Sequence, residues 1–192
     1  MTETINIYHD NYKFKGTMER RQAHQNEEWH ETFQCIFTFK DDLILQKRSL
    51  TVTDYKGKFD ITVGGHLLSN ETPEDGCREV KEEMGIEVEF RRLSLLCVLP
   101  EKIDNAGKLD KEFIHIFTLE VTEDELIAIK HDFEVEELVS IKKKDFKNLC
   151  MSHNDSYKAY TVHNNEEITI TKADFIPYSE SYFICISALL SK

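Results

Sequence analysis

Three glutamates, Glu79, Glu82 and Glu83, stand at i, i+3 and i+4 within Arg78-Glu79-Val80-Lys81-Glu82-Glu83. On a helix that turns about 100° per residue they share one arc of roughly 100°. Carboxylates crowded in this way repel one another. A bound hard cation turns that repulsion into ligation by oxygen, and Mg²⁺ is the usual ion where phosphates complete the shell. The bland alternative is a solvated acidic face. The flanks weigh against it: a glycine loop, Gly64-Gly65-His66, leads in and Gly85 leads out. Thr72 as cap, Pro73 in the first turn and Asp75 as an approximate capping box predict a helix over 73–84, stopped by Gly85. Cys77, Val80 and Met84 occupy another sector of that helix and can face a core.

The stretch 64–86, GGHLLSNETPEDGCREVKEEMGI, resembles the Nudix box, G-x5-E-x7-R-E-U-x-E-E-x-G-U with U a bulky aliphatic residue. Gly65, Glu71, Arg78, Glu79, Val80, Glu82, Glu83, Gly85 and Ile86 fill its positions. Six residues rather than seven separate Glu71 from Arg78. Either the helix entry is one residue shorter, or Gly64 is the first glycine and Asn70 replaces the first glutamate. The resemblance implies an α/β fold, an α/β/α sandwich with a mixed β-sheet, and metal held by Glu79, Glu82 and Glu83. Gly65, Glu71, Arg78 and Gly85 are then structural, with Arg78 pairing with and orienting a box glutamate.

Outside the box, Tyr8-His9-Asp10-Asn11, Arg21-Gln22-Ala23-His24, Trp29-His30-Glu31-Thr32-Phe33 and Leu45-Gln46-Lys47-Arg48-Ser49 are similar to the Nudix branch that includes isopentenyl-diphosphate isomerase and its hydrolase-like relatives. In that pattern a metal sits among two amino-terminal histidines, a histidine in the box loop and an acid-x-acid pair. His24, His30, His66, Asp110 and Glu112 match, a mixed set suited to Mg²⁺ or a transition metal. The isomerase also needs a cysteine just before the third histidine, and this chain has Gly64 there. Without that thiol one proton-transfer partner is missing. The expectation is therefore that Glu112 alone approaches the box, as a base. Taken singly, a histidine beside Trp29 or an acid opening a strand is as readily a packed or surface residue.

A diphosphate needs cations. Arg21, Arg48 and Lys56 are the candidates to bind substrate with His66, and guanidinium, which grips phosphate oxygens in pairs, ranks above ammonium.

The whole chain sets the frame. Its 192 residues suit one domain over 1–192, with 1–30 as an amino-terminal extension and 177–192 as a carboxy-terminal helix. Asp and Glu number 36 against 24 Lys and Arg, a formal charge of −12 that repels a nucleic-acid backbone. Five cysteines, odd in number and without a CxxC pair, read as reduced thiols, and the polar start and lack of a long apolar run predict a soluble cytoplasmic protein without a membrane segment. β-branched and aromatic enrichment predicts strands at 33–39, 43–47, 59–63, 88–98 and 113–121, with a weaker one at 137–141. Helices are expected at 73–84, 143–151 and 177–190, with a short one at 123–129, and a loop plus hairpin over 154–170. The resulting expectation is a Mg²⁺-dependent pyrophosphohydrolase, with Mn²⁺ as substitute, cleaving a small diphosphate metabolite such as a nucleoside diphosphate linked to another moiety. Glu79, Glu82, Glu83 and Glu112 are its candidate catalytic carboxylates. The rivals are an isomerase-like enzyme and a non-catalytic binding module; homodimers are common among similar proteins.

Overall fold

The computed structural model describes residues 2–105, 107–151 and 155–190. The first part of the chain forms β1 (Thr4–Tyr8), β2 (Phe14–Glu19), α1 (Arg20–Gln25), β3 (Trp29–Phe39), β4 (Asp42–Arg48), β5 (Phe59–Ile61) and β6 (Val63–His66). Then come α2 (Cys77–Met84), β7 (Ser94–Asn105), β8 (Lys108–Glu120), α3 (Glu123–Ala128), β9 (Val135–Lys142) and α4 (Lys143–Met151). The chain closes with β10 (Ser156–Thr161), β11 (Glu167–Thr171) and α5 (Glu180–Leu189). Residues 154, 191 and 192, which open and close two of the expected segments, lie outside the described residues.

Eleven strands make one sheet in the order β11-β10-β9-β4-β3-β1-β2, with β5 on β4, β6 and β8 on β3, and β7 on β8. The pairing of β3 with β8 is parallel, from Trp29↔Lys111 to Thr38↔Glu120, and the other ladders are antiparallel, so the sheet is mixed. Alternation along β3 sorts the layers. Phe33, Cys35 and Phe37 pack with Val80 and Met84 of α2. Ile36, with Leu43 and Leu45 of β4, turns to Phe146 and Leu149 of α4 and to Tyr182, Phe183 and Ile186 of α5. Each such side chain, taken fully from water, contributes about 1.5–3 kcal/mol. Helices therefore cover both faces, the α/β/α sandwich expected of the sequence.

Three local expectations are corrected. The site helix starts at Cys77, not Pro73, because Asp75 Oδ2 accepts from both N and Oγ1 of Thr72 at 2.8 Å and holds residues 72–75 as a turn. Residues 90–92 form a 3-10 turn rather than strand, with Arg92 drawn onto the Glu120 carbonyl and the Glu125 carboxylate. The carboxy-terminal helix begins at Glu180, where Ser179 Oγ accepts from Tyr182 N at 3.2 Å. The amino-terminal extension packs onto the sheet. β1 pairs with β2 and meets β3 at Ile7↔His30, and α1 buries Ala23 against Ile5 and Ile7.

Among the described residues no helix is long and apolar enough to cross a membrane.

Candidate active site

The box helix α2 is locked to the glycine strand β6 by Arg78. Its Nε donates to Glu71 Oε1 at 2.5 Å and its Nη2 to Glu71 Oε2 at 3.0 Å and the His66 carbonyl at 2.8 Å. Its Nη1 reaches Glu79 Oε1 at 2.7 Å and Glu82 Oε2 at 3.1 Å. One guanidinium thus fixes the entry loop, the strand and two box carboxylates. Because Glu71 itself meets Arg78, the helix entry is the shorter one, and Asn70 does not stand in for it. Gly65 is required sterically: a Cβ there would fall 2.7 Å from Glu79 Cγ and closer still to its carboxyl group. Gly85 adopts φ 72°, the left-handed stop that ends α2.

Glu79 and Glu83 face β6, while Glu82 is exposed. Glu83 accepts from Gly64 N at 3.4 Å and Gln46 Nε2 at 3.3 Å, both long. Burial, opposed by Arg78, pushes the Glu79 carboxyl up to about 7. Burial and then the neighbouring Glu79 charge push Glu83 well above the usual carboxylate range. Two carboxyls that resist ionising together are the electrostatic signature of a place for a cation.

Across β6 from this pair, His24, His30 and His66 cluster with ring centroids 4.7–5.0 Å apart, His30 stacked on His66 and His24 edge-on to both. His24 Nδ1 meets the Arg20 carbonyl and His30 Nδ1 the Glu28 carbonyl, each at 3.0 Å. Carbonyls only accept, so both rings carry their proton on Nδ1 and turn a lone pair on Nε2 inward. Burial first, then the charge of the neighbouring His30, lowers His66 well below its ordinary value. Burial also lowers His30 against the opposing pull of Asp110. The downward shifts favour the neutral form of His30 and His66, the form that binds metal. His30 Nε2 and Asp110 Oδ1 are 3.5 Å apart, both buried and both without a hydrogen-bond partner. Two acceptors facing each other that closely need a cation or proton between them. Glu112 completes the group: its Oε2 accepts from Thr32 Oγ1 at 3.1 Å, and burial, then Asp110, raise it well above the usual range. The residues present therefore fit a divalent ion.

His24 and His66 open onto a cavity of about 660 Å³ lined also by Arg21, Arg48, Tyr55, Asp60 and Tyr178. Gly64 and Gly65 are part of its wall, and their other neighbours are Glu83 and Glu79. No cysteine lines it.

The sequence profile of the NUDIX domain matches residues 28–160. The chain belongs to the Nudix family. It is 29% identical to an uncharacterized Nudix hydrolase of Clostridium acetobutylicum, over 98% of this chain and 97% of that one. It is 31% identical to an isopentenyl-diphosphate Delta-isomerase of Corynebacterium diphtheriae, over 67% and 71%. Among solved structures, DR0079 of Deinococcus radiodurans superposes with a TM-score of 0.59 at 16% identity, covering 76% of this chain and 87% of that one, a likeness of fold alone.

Within this Nudix chain the sequence-named residues fall into three places. Glu71, Arg78, Glu79 and Glu83 gather at β6, with Glu82 tethered at the exposed rim. His24, His30, His66, Asp110 and Glu112 converge, contrary to the expectation that Glu112 alone would approach the box; the charges acting on Glu112 are those of Asp110, Asp60 and Glu101. Of the cations, Arg21 and Arg48 line the cavity. Lys56 is exposed on the loop before β5 and takes no part in the lining. The sequence reading missed Asp60. It is buried in β5 and bonded through Oδ1 to Tyr178 Oη at 3.0 Å, its carboxyl pushed up to about 6 by burial. Its charge acts on both Glu83 and Glu112, so it bridges the two carboxylate groups. Gln34 extends the network, donating to Tyr178 Oη at 2.9 Å and accepting from Tyr182 Oη at 2.7 Å. A signal existed: His30, Thr32 and Gln34 repeat with period two on a strand otherwise rich in Phe and Ile.

Proposed function

We propose that the chain is a divalent-cation-dependent pyrophosphohydrolase acting on a small diphosphate-containing metabolite, of the nucleoside-diphosphate-linked kind. The observation that carries the reading is the pair Glu79 and Glu83, resistant to ionising together, with Glu79 buried and held by Arg78 and the half-buried Glu83 accepting from Gly64 N in the glycine wall of an arginine-lined cavity. Glu79, Glu82 and Glu83 are the residues to hold Mg²⁺, or Mn²⁺ in its place, and His24, His30, His66 and Asp110 would hold a second ion beside Glu112. Such ions neutralise diphosphate oxygens and bring the pKa of water near 7, making hydroxide available.

The rest of the reading belongs to the side chains. Arg21 and Arg48 bring two guanidinium groups to the cavity, suited to paired contacts with phosphate oxygens. Glu112, its carboxyl raised by burial, holds a proton near neutral pH more readily than an ordinary carboxylate, which suits it to take one from the attacking water. Arg78 positions Glu79 and Glu82 and touches no substrate in this scheme. A pure binding module has no need of a buried carboxyl pair that costs stability.

The isomerase named among the relatives offers a test rather than a second reading. Gly64 occupies the position of that enzyme's thiol, and no cysteine faces the cavity. Incubation with isopentenyl diphosphate should leave its terminal double bond in place by NMR. A panel of nucleoside-diphosphate-linked compounds with Mg²⁺ should release a phosphorylated product from at least one member. Appearance of dimethylallyl diphosphate, or no release from any diphosphate, would overturn the proposal.

A further inference from the structure

Three buried polar atoms of this region have no partner: His30 Nε2, and Asp110 Oδ1 and Tyr55 Oη, whose residues line the cavity. The first two face each other and fit a cation. The third is different in kind, since a phenol is a donor and its unmet need is an acceptor.

Tyr55 stands in the loop between β4 and β5. Both ends of the loop are pinned: Ser49 N donates to Glu134 O at 2.7 Å, Gly57 N to Arg48 O at 3.1 Å, and Arg48 Nε to Asp54 O at 3.2 Å. Within it Tyr55 adopts φ 54°, a left-handed conformation that a bulky residue takes only when its surroundings impose it. The ring packs on the core beneath α4 and α5, while the cavity takes in the residue together with Asp110, Glu112 and Arg48. Burial, followed by the negative charges of Asp110 and Glu112, raises the phenol far above its ordinary value. The group therefore keeps its proton and remains a donor. A buried donor left unpaired, on a strained backbone, in the wall of the candidate site, implies an acceptor that arrives with the ligand.

We propose that Tyr55 is a substrate-contacting residue whose hydroxyl donates a hydrogen bond to a phosphate oxygen of the bound diphosphate. The assignment rests on the diphosphate reading given above and names a contact that reading did not contain. The anionic oxygen belongs beside Asp110 and Glu112 because an ion held by His24, His30, His66 and Asp110 would offset their charge. Arg48, adjacent through the Asp54 carbonyl, supplies positive charge on the same side.

Tyr55→Phe removes the hydroxyl and keeps the ring that packs on the core. The probe is imidodiphosphate, whose nitrogen bridge resists hydrolysis, titrated calorimetrically into protein loaded with Mg²⁺ or Mn²⁺. Loss of one charge-assisted hydrogen bond should weaken its binding about 10- to 100-fold. Metal stoichiometry should not change. The ligand-free melting temperature should stay level or rise, because an unpartnered buried hydroxyl stabilises nothing. That last readout separates a ligand contact from a structural one: a melting temperature lower by several degrees would give the hydroxyl a partner inside the protein and overturn the proposal. Equal affinity in wild type and variant would overturn the Tyr55 contact alone and leave the diphosphate reading standing. A wild-type protein that fails to bind the probe would remove that reading and the Tyr55 contact with it.

Discussion

Replacing Gly65 by alanine tests how tightly the box helix must lie on its strand. The new Cβ would fall 2.7 Å from Glu79 Cγ, where ordinary contact begins at 3.4 Å, and nearer still to the carboxyl group. Glu79 cannot simply swing aside, because Arg78 Nη1 holds its Oε1 at 2.7 Å while the same guanidinium grips Glu71 and the His66 carbonyl. Relief therefore means breaking one charge-assisted hydrogen bond, about 1.5–3 kcal/mol, or shifting α2 by roughly 1 Å, an overpacking cost of about 1–3 kcal/mol. Either route costs on the order of 2 kcal/mol, which lowers the melting temperature of a chain this size by roughly 4–8 °C. Displacement of a catalytic group by about 1 Å costs on the order of 100-fold in rate. Calorimetry and a Mg²⁺-dependent hydrolysis assay on Gly65→Ala check both numbers. A variant with wild-type melting temperature and wild-type turnover would refute the claim that Gly65 exists to admit Glu79.

Other expectations concern protons and metal. Glu79 (about 7) and Asp60 (about 6) have folded-state values raised by burial. Their contribution to stability is thus complete below the unfolded values near 4 and is lost as pH rises through 6 and 7. In chelator, the melting temperature of Glu79→Gln relative to wild type should climb between about pH 4 and pH 8, by an amount worth on the order of 2 kcal/mol; a flat or falling difference would count against the buried-acid account. His24→Ala should lower bound metal while circular dichroism stays unchanged, and undiminished metal content would remove His24 from the ligand set. Glu112→Gln should slow turnover about 100-fold or more, and a rate equal to wild type would exclude Glu112 as base and as essential ligand.

How much of this was legible in the sequence depended on the range over which each feature is built. The box helix is local: three carboxylates and a guanidinium within six residues share one arc of a helix by spacing alone. The strands at the centre were legible because Phe33, Cys35 and Phe37 alternate with residues facing the other layer. β1 and β2 were not, because β1 offers only Ile5 and Ile7 over five residues and β2 is largely exposed. Asp60 was hidden for a different reason. Its partner Tyr178 lies 118 residues away, and only the packing of the segment before α5 brings them together. The convergence of His24, His30 and Asp110 likewise rests on the parallel ladder of β3 with β8, which sets His30 opposite Glu112. Residue type without position misled at Lys56, where positive charge in a nearby loop was taken for reach into the cavity.

The central claim is that the carboxylates of the box helix carry the chemistry, and Glu83 tests it most directly. Glu83→Gln keeps the size and helix propensity of the side chain but removes its negative charge. Turnover of the best diphosphate substrate with Mg²⁺, measured on a variant whose circular dichroism matches wild type, should fall at least about 100-fold. Wild-type turnover in that variant would contradict the account.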